Sequence, residues 1–325
     1  MAVSTSRAYA RAWAAFGEYC AQRQWVVRDA DDLAQAVAAF LGNRMRAGYA
    51  PALGRQLHAA VKRHHPQWAP DLHDLRRALK GWERARPVVK RPPLVWPLAV
   101  AMALYLTQRG YPACGVAVVL GHHAYLRIGE LLDARVRDLV LPRAACMGFD
   151  NADAFLNLPK TKAGVPQDVV LWDDDVTWLA AVAARAAPAN EPRDVEPREA
   201  RLFPVSEHTF RKRFAAAAAA WGVPPTVTPH SLRHGGATHD HVTGRLTAAQ
   251  IRTRGRWQSD KSMAHYVGAM RGALATMTVP ETAVRAGATL SKMLRRAFIV
   301  ALARAPVNAE VRAFAEAAVG TPALA

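Results

Sequence analysis

The sequence has few acidic residues, only three cysteines and no long apolar run. Its longest apolar stretch, Trp96–Leu106, has 11 residues, whereas about 20 are needed to cross a bilayer. An integral membrane protein is therefore excluded. The cysteines, Cys20, Cys114 and Cys146, are far apart and form no C-x-x-C motif. They indicate reduced thiols in a reducing compartment and argue against a disulfide-stabilised secreted protein and a cysteine zinc site.

The shortage of acid leaves a strong positive charge. There are 26 Asp+Glu against 43 Lys+Arg, a formal net charge of +17 and a pI near 10.6. Such a balance indicates a polyanionic partner, with nucleic acid first and an anionic membrane surface second. The start of the chain holds Arg7 and Arg11 and no acid, as organellar transit peptides do. The helical pattern continues through Glu18, however, which favours a first helix.

The length of 325 residues suggests about two domains, and the first 86 residues form a distinct region. Apolar residues recur there at three- and four-residue spacing, which predicts four amphipathic helices at 4–22, 30–47, 51–65 and 71–86. Residues 1–95 hold 16 Lys+Arg and 7 Asp+Glu, so more than half of the charge excess lies there. Residues 87–97 contain four prolines and predict a stiff linker that carries Lys90 and Arg91.

Beyond the linker the pattern is mixed α and β over residues 98–268. Helices are predicted at 98–109, 114–122, 174–187, 206–221, 231–242 and 248–254. Short strands are predicted at 138–141, 154–158 and 168–172, with a turn at Ala163-Gly164 between the last two. A tail of residues 269–325 follows, and residues 289–304 have an apolar face opposite basic residues, which predicts an amphipathic helix.

Several polar motifs follow one another in order within residues 125–266. The first is Y-L-R-I-G-E-L-L, the second P-K-T-K-A-G, the third H-S-L-R, and the last is a Trp nine residues before a Tyr. Each motif alone is weak, because such short patterns recur by chance, but the ordered set is specific. The chemistry-bearing residues in these motifs are Arg127, Glu130, Lys160, Lys162, His230, Arg233, Trp257 and Tyr266.

This ordered set resembles the tyrosine recombinase, or phage integrase, family. The resemblance covers residues 98–268 and extends loosely to residues 1–86. It implies a mainly α fold with a small antiparallel β-sheet, in which 98–268 is the catalytic domain and 1–86 a helical core-binding domain, together a two-lobed DNA clamp. One departure is the sequence Gly255-Arg256-Trp257, where the family often has Leu-Gly-His. Trp257 can donate a hydrogen bond but cannot shuttle protons.

The resemblance also implies a role for each residue. Arg127 and Arg233 would clamp the non-bridging oxygens of a DNA phosphate, with Glu130 as a supporting acid. Tyr266 would be the nucleophile and form a 3′-phosphotyrosyl intermediate, with Tyr125 as the next candidate. The family assigns protonation of the leaving 5′-oxygen to the hairpin lysine. Lys162 precedes the turn, but Lys160 lies two residues away on the same strand face. His230 and Trp257 complete the set, and no metal or cofactor is implied.

The predicted partner is double-stranded DNA, bound by a homotetramer on paired sites, with residues 269–325 as a protomer-docking segment. The expected location is intracellular, with bacterial or nuclear chromosomal DNA, and the expected reaction is integration, excision or resolution. Three alternatives stay open: a type IB topoisomerase, a catalytically idle DNA-binding protein and a basic membrane-surface protein. Further basic residues are candidates for phosphate contacts: Arg44, Arg46, Arg55, Lys62, Arg63, Lys90, Arg91, Arg211, Lys212, Arg213, Arg254 and Arg256.

Overall fold

The chain forms two compact units, residues 1–90 and residues 91–325, in a computed structural model. The structure describes residues 3–68, 73–86, 91–146, 149–151, 153–159, 166–192, 194–259 and 279–321, together with residues 263, 273 and 277. The predicted linker over 87–97 is shorter than expected at its C-terminal end. Leu94 is buried in the core of the second unit, and its backbone N–H donates to the Ser231 carbonyl oxygen at 3.1 Å.

The first unit is helical, as the sequence predicts. Its helices are α1 (Val3–Gln22), α2 (Ala30–Arg46), α3 (Ala52–His64) and α4 (His73–Ala85). Their apolar faces meet in one core that includes Phe16, Phe40 and Leu57. Asp29 caps α2 by accepting a hydrogen bond from the Asp32 backbone N–H at 2.8 Å, which satisfies one of the free donors at the helix start.

The second unit is built on two helices that are buried on nearly all sides, α5 (Trp96–Gln108) and α6 (Pro112–His123). Hydrophobicity around the whole circumference is typical of a central helix. The other helices surround this pair in chain order: α7 (Ile128–Asp133), α8 (Asp174–Ala186), α9 (Glu207–Ala220), α10 (His230–Val242), α11 (Ala248–Arg254), α12 (Glu281–Ser291), α13 (Leu294–Ala303) and α14 (Ala309–Gly320).

A small antiparallel sheet lies in the same unit. Its strands are β1 (Leu139–Val140), β4 (Ala154–Leu158) and β5 (Gln167–Leu171), in the order β1-β4-β5. The register pairs Ala154 with Leu171 and Leu158 with Gln167, so β4 and β5 are the arms of the predicted hairpin. Two further strands, β2 (Arg143–Cys146) and β3 (Phe149–Asn151), pair with each other and were not predicted.

The C-terminal helices belong to the core of the second unit. The single helix predicted over 289–304 is wrong, because α12 ends at Ser291 and α13 begins at Leu294. The apolar face of α13 is covered by its own unit: Leu294 and Phe298 are buried, and the Phe298 ring lies 6.3 Å from that of Trp178. The apolar stripe therefore has a use within one chain, and the reason for reading it as a protomer-docking element disappears.

The predicted fold class, mainly α with a small antiparallel sheet, is confirmed. Among the residues described, no helix is long and apolar enough to cross a bilayer.

Candidate functional site

Arg127 stands at the N-terminus of α7, where its backbone is extended and the helix begins with Ile128. Glu130, three residues later, accepts a hydrogen bond from the Arg127 backbone N–H at 2.9 Å, and its other oxygen accepts one from the Arg127 guanidinium. The sequence L-R-x-x-E-L therefore acts locally as a helix cap. The Arg127 side chain remains 29% exposed, whereas that of Glu130 is 5% exposed.

Glu130 has a second cationic partner, Arg256. The Nη2 atom of Arg256 donates to Glu130 Oε2 at 2.8 Å, and the Arg256 side chain is only 4% exposed. Burial alone would raise the pKa of Glu130. The Arg256 charge, the Arg127 backbone N–H and the Arg127 guanidinium outweigh burial and hold that pKa below its ordinary value. Glu130 is thus a stable carboxylate between two guanidiniums, a typical buried charge network.

Arg233 lies on α10 and is fully buried. Its Nη1 atom donates to the Tyr125 carbonyl oxygen at 2.5 Å, and its Nη2 atom donates to the Gly255 carbonyl oxygen. The guanidinium carbon lies 4.7 Å from the centre of the Trp257 ring, a cation–π contact. Arg233 therefore ties the segment before Arg127 to the turn that carries Trp257.

The backbone carbonyl of Tyr125 is the meeting point of these residues. It accepts from Arg233 Nη1 and also from Arg256 Nη2 at 3.0 Å. Tyr125 has a φ of +50°, and its ring lies 6.3 Å from the Trp257 ring. Tyr125 precedes Arg127 by two residues, so one short segment connects Arg127 with Arg233, Arg256 and Trp257. The hydrogen-bonded chain runs from Arg127 through Glu130, Arg256 and the Tyr125 carbonyl to Arg233.

His230 is the first residue of α10, three residues before Arg233. Its ring makes an edge contact with His234 at 5.0 Å. Burial, followed by the positive charges of Arg233, Arg91, Arg127 and Arg211, lowers the pKa of His230 to about 4. His230 is therefore neutral at neutral pH. The lowered pKa also shows that the positive charges of several guanidinium groups act together at the position of its ring. Positive charge concentrated in this way favours an anionic ligand.

Two glycines allow these elements to approach each other. A Cβ on Gly236 would lie 2.0 Å from the His122 carbonyl oxygen, so α10 can pack on α6 only with glycine at this position. A Cβ on Gly255 would lie 1.9 Å from the Trp257 ring. Small residues at both positions therefore fix where His230, Arg233 and Trp257 lie, which the sequence motif did not reveal.

The predicted set is brought together in part. Arg127, Glu130, His230, Arg233 and Trp257 converge, while Lys160, Lys162, Lys90 and Tyr266 fall outside the described residues. Within the part of the chain that the structure describes, no group of three His, Cys, Asp or Glu side chains could hold a metal ion.

The basic residues predicted to contact DNA divide into two groups. Arg254 turns inward: its Nη1 and Nη2 atoms each donate at 2.8 Å, to the carbonyl oxygens of Val170 and His123, and burial lowers its pKa to about 10. Arg256 is buried against Glu130. The prediction that Arg254 and Arg256 bind phosphate is therefore wrong, because their donors are used inside the protein.

Arg213 is also directed inward. Its guanidinium stacks 3.8 Å from the Tyr111 ring and donates to the Cys114 sulfur at 3.4 Å. Arg44 is partly buried, with its guanidinium 5.0 Å from the Phe40 ring. The remaining described candidates are exposed, and two of them form surface ion pairs, Arg55 with Glu83 and Arg211 with Glu207. The exposed set is Arg46, Arg55, Lys62, Arg63, Arg91, Arg211 and Lys212.

Sequence reasoning missed the roles of Tyr125, Asp240 and Arg256. The Tyr125 hydroxyl donates to Asp240, which is itself buried. A signal for Arg256 was present in the departure at Gly255-Arg256-Trp257, where a charged residue stands beside a family motif. Nothing in the sequence pairs residues 125 and 240, because they are 115 positions apart.

Comparison with solved structures identifies the fold. The integrase of the Tn1549 transposon, solved in complex with transposon right end DNA, has a TM-score of 0.58 at 14% identity, covering 85% of this chain and 93% of that one. The XerA recombinase has a TM-score of 0.42 at 13% identity, covering 87% of this chain and 98% of that one. No protein-family model and no curated protein matches the sequence. The chain has the tyrosine recombinase fold, as the Tn1549 integrase does.

Proposed function

We propose that this chain, which has the fold of the tyrosine recombinases, cleaves and rejoins DNA strands at specific sites. The observation that carries the proposal is the hydrogen-bonded chain from Arg127 through Glu130, Arg256 and Tyr125 to Arg233. It joins residues 125–130 to Arg233 and Arg256, which lie more than 100 residues later in the chain. The charges of Arg127 and Arg233, the two ends of this network, also act on the neutral His230.

The phosphate-binding role falls first on Arg127. Its side chain is partly exposed and is the most accessible of the network's charged side chains, and a guanidinium offers two parallel donors to a phosphate. Arg233 is fully buried and gives both Nη atoms to backbone carbonyls. Its positive charge acts on His230 together with that of Arg127 and supports the same anion at longer range, while its Nη atoms hold the Tyr125 and Gly255 carbonyls. Charge developing on the phosphate in the transition state is stabilised by donors that are already in place.

The covalent step is assigned to Tyr266. Its phenolic oxygen attacks the phosphorus, a phosphotyrosyl bond to the 3′ end forms, and the bond from phosphorus to the 5′-oxygen breaks. Lys162 donates the proton that the departing 5′-oxygen takes up. His230, neutral at neutral pH, accepts the phenolic proton of Tyr266 during attack, or orients a phosphate oxygen while that proton passes to solvent. Rejoining is the reverse: a 5′-hydroxyl attacks the phosphotyrosyl bond and releases the tyrosine, so no external energy source is required.

The partner is double-stranded DNA. The exposed basic residues of both units, with the net charge of +17, supply the sequence-independent part of binding through phosphate neutralisation. Exchange of strands between two sites requires two duplexes held together, so the active assembly contains several protomers, four by family resemblance. The reaction is integration, excision or resolution, carried out inside the cell on chromosomal DNA and consistent with a mobile element.

The test is formation of a covalent adduct. The protein is incubated with supercoiled plasmid, denatured and analysed by gel for a protein-linked DNA strand. The control is Tyr105→Phe, at a partly buried tyrosine on α5 outside the motifs. We expect the parent and Tyr105→Phe to give the adduct and Tyr266→Phe to give none, with DNA affinity unchanged in all three. Each variant keeps the aromatic ring and loses only the hydroxyl of the substituted tyrosine.

An adduct that persists in Tyr266→Phe would assign the nucleophile to another residue. A parent protein that binds DNA without any adduct would make the chain a DNA-binding protein that keeps the fold. Relaxation of any plasmid, without joining of paired sites, would indicate topoisomerase activity instead. Sequencing the trapped adducts would then define the target site.

A further inference from the structure

Arg256 has an unusual backbone. Its φ is +56°, in the left-handed region, whereas most residues other than glycine avoid this region at a cost of about 1–2 kcal/mol. Glycine would take this conformation freely. Arginine keeps this position although its backbone conformation is unfavourable, which indicates that the arginine side chain itself is required here.

The side chain is fixed from three directions. Its Nη2 atom donates to Glu130 Oε2 at 2.8 Å and to the Tyr125 carbonyl at 3.0 Å, and its Nη1 atom donates to the Arg254 carbonyl at 3.1 Å. With its side chain 4% exposed, Arg256 cannot itself reach a bound DNA. It acts on the site through Glu130.

The charges of the three residues explain the arrangement. Glu130 contacts both Arg127 and Arg256, and its side chain is nearly as buried as that of Arg256. Without Arg256, Arg127 would be the only cationic partner of Glu130 among the residues that the structure describes. The Glu130 carboxylate would then compete with a phosphate for the N–H donors of Arg127. With Arg256 present, the buried Glu130–Arg256 pair is neutral, and the net positive charge of the three residues belongs to the partly exposed Arg127.

We propose that Arg256 is a positioning residue that neutralises Glu130, so that the Arg127 guanidinium is available to a phosphate. The inference rests on the proposed function in so far as the ligand is a DNA phosphate. It does not require that the chain cleave DNA.

The experiment measures DNA affinity against salt concentration. Each phosphate contact contributes about 0.9 to the slope of log K against log salt on duplex DNA. We expect Arg256→Met and Arg127→Ala each to lower the slope by about 0.9. The double variant Arg256→Met with Glu130→Gln removes both buried charges and should recover the parental slope. Arg256→Lys keeps the charge and should fall between the parent and Arg256→Met.

The cleavage rate at saturating DNA is measured in parallel. We expect it to fall by roughly 100-fold in Arg256→Met, as for a displaced catalytic group, and to recover most of this loss in the double variant. The control is Arg285→Met, which breaks an exposed ion pair with Glu281 on α12 and should change neither quantity. Melting temperatures show which variants are folded at the assay temperature.

A double variant with the reduced slope of Arg256→Met would overturn the inference, since neutralising Glu130 would then not be the role of Arg256. If Arg256→Met does not fold, the folded double variant decides alone: a parental slope supports the inference and a reduced slope overturns it. If the salt slopes of the variants change as expected but the parent protein does not cleave DNA, the result supports the inference and overturns the proposed activity. A parent that does not bind DNA would overturn both.

Discussion

The hydroxyl of Tyr125 donates a hydrogen bond to the carboxylate of Asp240, in the interior of the second unit. Burial, followed by the neighbouring Asp240 charge, raises the pKa of Tyr125 above its ordinary value. A tyrosine held in this way is protonated and inaccessible, and its ring packs beside Trp257. Tyr125 is thereby removed as an alternative nucleophile. Its function is structural, because its carbonyl receives both Arg233 and Arg256.

Tyr125→Phe should therefore lower the free energy of unfolding of the second unit but still allow DNA cleavage. Loss of a hydrogen bond to a buried carboxylate costs about 2 kcal/mol, or about 4–8 °C in the melting temperature of a unit of this size. The measurement is thermal unfolding followed by circular dichroism, with Tyr105→Phe as control. Below its melting temperature the variant should still form a covalent adduct with plasmid DNA. Loss of the adduct in a folded Tyr125→Phe protein would give the hydroxyl a direct part in the reaction.

The free energy of unfolding of the second unit should fall as the pH drops below about 6.5. Burial, with the nearby His239 next, lowers the pKa of His122 to about 3, and His122 lies 3.0 Å from the Leu94 carbonyl oxygen. The unfolded histidine has a pKa of about 6.5. Between these values the unfolded chain binds a proton that the folded chain does not, so stability rises with pH across this window and is lost as pH falls.

His122→Gln tests this dependence, because the amide can still donate to the Leu94 carbonyl but does not titrate. Between pH 6 and pH 4 the dependence of unfolding free energy on pH should weaken by about 1.4 kcal/mol per pH unit. Urea unfolding at several pH values measures it. The control is His208→Gln on the exposed face of α9. An unchanged pH dependence in His122→Gln would show that His122 is not protonated on unfolding.

The hairpin lysines differ in their expected effect on cleavage. Lys162→Ala should slow cleavage much more than Lys160→Ala, with similar DNA affinity for both, because Lys162 directly precedes the Ala163-Gly164 turn. A substrate with a 5′-thiol leaving group needs no general acid and should largely restore cleavage by Lys162→Ala. If the thiol substrate gives no rescue, Lys162 binds phosphate and does not donate a proton.

Helix α13 can be tested for folding and docking separately. Truncation after Ala288 removes buried Leu294, Phe298 and Phe314, each worth about 1.5–3 kcal/mol. The sum is large against a total stability of about 5–15 kcal/mol, so the second unit of the truncated protein should not fold. Phe298→Glu should behave in the same way.

Ile299→Glu is the matched variant, since Ile299 is the next residue on α13 and is 46% exposed. We expect it to fold with a parental melting temperature and to assemble on two-site DNA, as measured by light scattering. If Ile299→Glu folded but no longer assembled, the exposed side of α13 would be a protomer contact after all.

Most of the helices could be predicted because their apolar periodicity is local. The prediction at 248–254 agrees with α11, and that at 154–158 agrees with β4. The single helix predicted in the tail is wrong, and its amphipathic pattern shows that a face will be covered but does not say by what. The same pattern would suit a neighbouring protomer or, as α13 shows, the protein's own core around Trp178.

By itself, the sequence determined the order of the chemical groups, the fold class and the sign of the charge. The tertiary structure decided which cations face outward. Arg254 lies in a basic run, yet it donates to the carbonyl of Val170, 84 residues earlier. Arg256 is buried in an ion pair with Glu130, while Arg127 stays partly exposed. A guanidinium can be solvated or can satisfy buried carbonyls and carboxylates. Which of these happens depends on partners that only folding brings within hydrogen-bonding distance.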